Sequence, residues 1–319
     1  MKRLSLLVLL IFAGLISHHA EAQQDAQFSQ YMFNQVFYNP AYAGVEGVTR
    51  LTAIHRSQWA GYVADFDQGG APTTQMVSLN TSLFRLRSGV AFHIVNDKLG
   101  PLTNQEAQVS YAYHLGFKES KLSMGVRLGV FSQSINRSLY RPNQPGDPVI
   151  VNGEDSQIQP DMALGAFYQA EKYYAGLSFN HLIKSEFDFG NSESRNALEN
   201  HFIFTAGYHY DYGLGKTVFT PSVLIKSDLN SYSFDFSVLA EYDDKMWGGV
   251  SYRQGEAAII LLGYSLLKDK SLRLGYAFDY VIKDREAKQA TSHEIFVTYR
   301  LNLLPPVEKN KERTPRFRH

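Results

Sequence analysis

Ten histidines, 31 acidic residues and no cysteine set the chemistry open to this 319-residue chain. Without thiols there is no disulfide framework, no thiolate metal site and no cysteine nucleophile. His201 and His209 fall on one face of an alternating segment, but too far apart along an extended chain to share an ion. No H-E-x-x-H or calcium-loop pattern occurs. The stretch Asp147 to Asp161 carries Asp147, Glu154, Asp155 and Asp161. It could hold calcium weakly, although a solvated loop is the simpler reading. Serine and histidine are both present, as a lipase-type barrel needs, but no G-x-S-x-G elbow supports one. These residues point to no enzyme, no cofactor and no resident metal. The candidates for function are instead aromatic and amide side chains near the start of the chain.

The elements that must position them are exported strands. Lys2 and Arg3 precede an apolar run from Leu4 to Ile16, and Ala20-Glu21-Ala22 follows. That is the layout of a secretory signal peptide, residues 1–22, with cleavage expected after Ala22. The run is too short to span a bilayer comfortably, and no later segment is long and apolar enough. Thirty-one Lys+Arg balance 31 Asp+Glu, so there is no electrostatic footprint for nucleic acid. A mean hydropathy of -0.25 excludes a helical multi-span protein but not a membrane β-barrel, whose strands are half apolar.

From residue 48 onward the chain alternates with period two. Ala107, Val109, Tyr111, Tyr113 and Leu115 share one face; Gln108, Ser110, Ala112 and His114 share the other. Leu272, Leu274, Tyr276, Phe278 and Tyr280 repeat the pattern against Arg273, Gly275, Ala277 and Asp279. The second face holds small and polar residues, suited to a crowded or watery barrel interior. The apolar face often begins and ends in Tyr or Phe, as interfacial girdles do. About fourteen such segments are countable, an even number as bacterial barrels require. Alternate connections are short; the others include every long one, at 61–71, 98–102, 135–159, 183–199 and 283–290. This predicts an all-β, up-and-down antiparallel transmembrane barrel over residues 48–304, with both barrel termini periplasmic. A soluble sandwich or propeller is the competing fold, and no repeat of 40–50 residues favours the propeller. Pro221 should sit at a bulge or near a strand end, because it cannot donate to a ladder. Residues 305–319 form a basic periplasmic tail.

Residues 23–47 break the rhythm. Phe28, Tyr31, Phe33, Phe37, Tyr38 and Tyr42 crowd a short segment in which Asn39-Pro40 must end any helix. It can pack inside its own barrel or against the rim, or present a partner-binding surface, and the two are compatible.

Phe28-Ser29-Gln30-Tyr31-Met32-Phe33-Asn34, continued by Asn39-Pro40-Ala41-Tyr42-Ala43-Gly44, resembles the opening motif of the PorP/SprF family. Arg56-Ser57-Gln58-Trp59 resembles that family's R-x-Q-W motif, and Gly70-Ala71-Pro72-Thr73-Thr74 its next block. The final His293-Glu294-Ile295 strand is also similar. Phe37-Tyr38 departs from the other apolar residues that relatives often carry there. The resemblance implies a non-enzymatic outer-membrane component of the type IX secretion system of Bacteroidota. It implies as partners a secreted surface protein or adhesin with a type IX C-terminal sorting domain, and the periplasmic ring and lipoprotein components of the machine. A role in gliding motility is implied for some relatives. On this reading the partner-binding residues are Phe28, Gln30, Tyr31, Asn34, Asn39, Gly44, Arg56 and Trp59. Trp59 and Arg56, near the outer end of the first strand, could stack on and hydrogen-bond a peptide, or serve as girdle residues. A small-solute channel and a secreted soluble binding module are the alternatives.

Overall fold

A strand that meets hydrocarbon on one side and protein on the other needs apolar and small polar residues in strict turn. It also needs a neighbour on each edge. The computed structural model meets both needs with an antiparallel sheet closed on itself. The structure describes residues 25–63, 70–140, 153–189, 196–213, 216–229, 231–283 and 288–301. The expected signal peptide (1–22) and basic tail (305–319) lie outside the described residues.

The first seven strands are β1 (Thr49–Ser57), β2 (Thr73–Leu83), β3 (Ser88–Leu99), β4 (Leu102–Gly116), β5 (Ser120–Asn136), β6 (Glu154–Ala170) and β7 (Tyr173–Asn180). A two-stranded ribbon, Glu186–Phe187 with Asn196–Ala197, lies between β7 and β8. β8 is interrupted, running His201–Tyr208 and then Tyr210–Tyr212. β9 (Thr217–Ser227), β10 (Tyr232–Tyr242), β11 (Met246–Arg253), β12 (Ala257–Leu266), β13 (Leu272–Val281) and β14 (Thr291–Leu301) complete the 14-strand barrel. Each strand pairs with its sequence neighbours. The last pairs with the first, in a register from Thr49↔Leu301 to Ser57↔His293. Both barrel strand ends therefore lie at one rim, the rim of the short turns. Among the described residues no helix is long and apolar enough to cross a membrane.

The outer surface carries an apolar band: Ile94, Val109, Leu128, Val250, Ile260 and Leu262 are all exposed. Exposed tyrosines edge it at the short-turn rim, among them Tyr113, Tyr173, Tyr208, Tyr242 and Tyr264. Toward the other rim the outward side chains turn polar. Asn96 donates to Gln75 and Gln105 to Asn96, each at 2.9 Å, and Ser134 donates to Ser156 at 2.9 Å. That ladder marks where the strands leave hydrocarbon.

Three local expectations are corrected. The connection near 98–102 is not long: Leu99 pairs with Leu102 across a tight turn at Gly100-Pro101, with Gly100 at φ +62°. The 135–159 connection is shorter than expected, because β6 begins at Glu154 and pairs with β5 as far as Asn136. Cross-strand serine bonds continue the hairpin above the apolar band. Pro221 sits at no bulge and no strand end; it faces Val238 in an unbroken ladder to β10. Its missing N–H is accommodated on the other side, where β8–β9 pairing lapses between Gly207↔Ser222 and Tyr210↔Phe219.

Candidate functional site

The lumen is filled by the chain's own N-terminal segment. Three short helical turns, Tyr31–Phe33, Gln35–Tyr38 and Pro40–Tyr42, compact residues 25–47 inside the barrel. The α-turn stops before Asn39, whose extended backbone (ψ 115°) is what a following proline imposes. Asn39 Oδ1 then accepts from Ala41 N–H at 2.9 Å and caps the next turn. Asp25 lies at the long-connection rim, beside His181 and His201. Gly44 lies at the opposite rim, against Thr81, Ser82 and Gly89. The segment thus runs the length of the lumen before β1 begins at the short-turn rim. Its aromatics form the core: Phe28 meets Phe37 edge-on at 5.1 Å, and Phe33 contacts Trp247 and Phe296 at 5.3 and 5.0 Å.

Polar wall residues grip the plug by its backbone. Glu294 on β14 accepts from the N–H groups of Ser29 (2.7 Å) and Gln30 (2.9 Å). Arg253 on β11 donates to the Phe28 carbonyl at 3.2 Å and pairs with Asp235 at 2.9 Å. Arg127 donates to the Phe37 carbonyl at 2.5 Å, and Ser178 to the Tyr38 carbonyl at 2.6 Å. Asn39 donates to the carbonyls of Ala166 (2.9 Å) and Leu177 (3.1 Å). Asn80 accepts from Gly44 N–H at 2.7 Å, and Lys121 donates to the Val45 carbonyl at 2.7 Å. Backbone groups with no ladder of their own are satisfied in this way inside the lumen. Glycine is required at two of the closest approaches. A Cβ on Gly125 would lie 2.4 Å from Ala41 N, and one on Gly44 (φ +71°) 2.5 Å from Gly89 Cα.

Seven of the eight predicted partner-binding residues are therefore inside the protein. Phe28, Gln30, Tyr31, Asn34, Asn39 and Gly44 belong to the plug and are buried. Tyr31 bonds Ser222 Oγ through its hydroxyl at 2.9 Å. Arg56, only 1% exposed, points inward from β1, pairs with Asp279 at 2.8 Å and donates to Ser29 Oγ at 2.5 Å. Trp59 alone reaches a surface. It follows β1 at the long-connection rim, with φ +50°, and its N–H donates to Ser292 Oγ at 2.9 Å. Its ring meets Tyr62 at 5.8 Å and lies 5.2 Å from the Lys288 ammonium. Trp59, Tyr62, Tyr140 and Tyr232 line a vestibule of about 630 Å³, floored by Asp25, Ala26 and Gln27. Asp97, Glu256 and Lys288 add charge to its wall.

The structure also assembles a cluster that local patterns do not reveal. Asp25 Oδ1 lies 2.8 Å from His181 Nε2, and its Oδ2 2.7 Å from His201 Nδ1. Asp161 lies 3.2 Å from His181 Nδ1. Burial would raise the Asp25 carboxyl, but the two imidazoles outweigh it and hold the group well below the usual carboxylate range. Burial would lower His181, but Asp25 and Asp161 raise it to about 10. Asp161 is thus no part of a solvated acidic loop: it faces the lumen from β6 and accepts from Gln108 at 2.8 Å. Glu154 and Asp155 also belong to β6, whereas Asp147 lies outside the described residues. The one signal for the cluster was that His201 falls on the inward face of its strand. Asp25, which joins the two histidines, is 156 residues from His181 and 176 from His201 and left no local trace.

The comparisons decide the family. The model for "Type IX secretion system membrane protein PorP/SprF" matches residues 20–299. The chain belongs to this family. With its closed barrel and apolar outer band, this PorP/SprF member is a type IX secretion component of the outer membrane. No curated protein matches it. Among solved structures it is similar to the outer membrane protein Omp33 of Acinetobacter baumannii, with 8% identity and a TM-score of 0.44, over 80% of this chain and 99% of that one. It is also similar to the toluene transporter TodX of P. putida, with 10% identity and a TM-score of 0.48, over 84% and 93%. The KdgM porin matches with 10% identity and a TM-score of 0.36, over 78% and 98%.

Proposed function

We propose that this PorP/SprF barrel is a closed, non-enzymatic docking component: it anchors a secreted surface protein at the outer rim instead of conducting solutes. The observation that carries this reading is the vestibule. An aromatic basin of about 630 Å³ sits over a lumen that the protein itself has filled. A conducting pore needs a continuous watery path with a polar constriction. Here Phe28, Tyr31, Phe37 and Tyr38 occupy that path, each at 4% exposure or less. The partner class is an extended or β-rich segment of a secreted protein, with the C-terminal sorting domain of an adhesin as the favoured example. Trp59 is the contact residue; the other seven predicted residues act indirectly, by holding the plug that floors the basin. In cells where the cargo is a motility adhesin, the same docking serves gliding. The turns of the opposite rim face the periplasmic ring and lipoproteins.

The test is cargo display. Trp59→Ala should reduce the amount of adhesin retained on intact cells while the barrel stays in the outer-membrane fraction at its normal level. Undiminished retention would remove the vestibule from the docking role.

A further inference from the structure

We propose that Asp25, His181 and His201 form a binding site for one divalent transition-metal ion of the zinc class, which staples the start of the plug to the barrel wall. The assignment is independent of whatever docks in the vestibule.

The ligating atoms come from three places: the first described residue of the plug, the residue after β7, and the first residue of β8. One carboxylate oxygen and one nitrogen from each imidazole all lie within 4.8 Å of one another. Two imidazoles and a carboxylate are the donor set that zinc, cobalt and nickel favour over calcium or magnesium. The chain has no cysteine to compete for such an ion.

A second observation points the same way. Metal-bound histidines almost always give their other ring N–H to a carboxylate, which fixes the tautomer and raises ligand basicity. His181 has a carboxylate beside that nitrogen: Asp161, 1% exposed at its side chain, lies 3.2 Å from Nδ1, an ion-pair contact that a small ring rotation turns into the hydrogen bond. Asp161 is itself held by Gln108 Nε2 at 2.8 Å. The outer-shell carboxylate of a metal site is thus already in place, on a separate strand from the ligands.

The fit requires side-chain rotation but no movement of the strands. Zinc–nitrogen and zinc–oxygen bonds of about 2.0–2.1 Å in a tetrahedron place ligand atoms about 3.3 Å apart. Asp25 now meets the two rings through different oxygens, at 2.8 and 2.7 Å, and the three ligand atoms lie within 4.8 Å of one another, so binding widens the short contacts by about half an ångström and closes the widest gap by up to about 1.5 Å. A small cavity lined by Asp25, His201, Lys226, Ser227, Asp228 and Ser231 adjoins the cluster and offers a place for a fourth ligand, a water. Lys226 is the only cation in that lining among the described residues. Asp25 and Asp228 share that lining and Asp161 lies 3.2 Å from His181, so the local field still favours a cation. On binding, the ion takes the place of the proton at His181 Nε2, which is released to buffer, while Nδ1–H stays on Asp161.

The experiment uses the full chain without a histidine tag, purified in detergent and freed of metal by chelator and dialysis. Cobalt(II) should bind at one ion per chain and give the visible absorption of a tetrahedral site, and zinc(II) should displace it. His181→Gln and His201→Gln should each weaken cobalt binding at least about 100-fold. Asp161→Asn leaves all three ligands in place and should weaken it about 10- to 100-fold. Folding of each variant is checked by its heat-modifiable migration in SDS. If a histidine variant does not fold, Asp161→Asn decides. Absence of stoichiometric cobalt uptake by the wild-type chain, or uptake unchanged in Asp161→Asn and in the folded histidine variants, would overturn the proposal.

Discussion

Arg56 and Asp279 form an ion pair of 2.8 Å inside the barrel, across the strand that separates β1 from β13, and Ser29 of the plug is bonded to both. Each charge is 1% exposed at its side chain. The pair therefore ties three distant parts of the chain together where water cannot compensate for a missing partner.

Removing one partner leaves the other charge buried on a longer contact alone, Asp279 with Arg253 at 3.8 Å or Arg56 with Glu294 at 3.5 Å, a change that costs up to about 3–5 kcal/mol. Arg56→Ala and Asp279→Ala should each lower the unfolding midpoint in detergent by amounts of that order. The double variant should lose less than the sum, because neither charge is then stranded. Additive losses would mean that the two groups are not coupled.

The seam at Asp25 has a pH signature in metal-free protein. His181 is raised from 6.5 to about 10, so its contribution is complete below pH 6.5 and is lost as pH rises through 10. Asp25 is lowered, so its contribution is present above its ordinary value of 3.8 and is lost only as pH falls through its depressed one. The heat-modifiable transition of the wild-type chain should therefore fall toward that of His181→Gln between pH 7 and pH 10.5. A constant gap between the two proteins would contradict the assignment.

The outer band predicts a position-dependent cost of charge. Val250 is 61% exposed, midway along β11, on the face read as lipid-facing. Val250→Arg should destabilise the folded barrel by about 2–4 kcal/mol in lipid. The same substitution at Leu229, 82% exposed at the long-connection rim, should cost under about 1 kcal/mol. Equal costs would show that Val250 does not face hydrocarbon.

The barrel was legible where one physical demand governed a whole segment. In β4 each odd residue from Ala107 to Leu115 faces outward, because lipid on one side and plug on the other leave no other register. Loop lengths were less legible. The cross-strand Ser134–Ser156 bond that prolongs β5–β6 looks in sequence like loop composition, and a two-residue turn at Gly100-Pro101 looks like a longer one. The site was the least legible part. Arg56 reads as a rim arginine until Glu294 and Asp279, 238 and 223 positions away, come to meet it. The aromatic density of residues 23–47 signalled burial, but only the lumen-facing glycines and paired charges of distant strands explain where.

Trp59 offers the sharpest surface prediction. Buried aromatic anchors at interfaces cost about 2 kcal/mol or more on truncation, about 30-fold in affinity. Trp59→Ala should weaken binding of a purified adhesin sorting domain by about that factor. Phe84→Ala, an exposed aromatic at the opposite rim, should change nothing. Equal effects, or none from Trp59, would place the partner elsewhere.

Residues 25–47 close the barrel from within, and single-channel conductance in planar bilayers reads that closure. The wild-type chain should pass almost no current. Gly125→Val, whose side chain must push Ala41 off the wall, should open a stable conductance while the barrel remains heat-modifiable. A steady large conductance from the wild-type protein, indifferent to changes in the plug, would mean that the segment does not close the barrel.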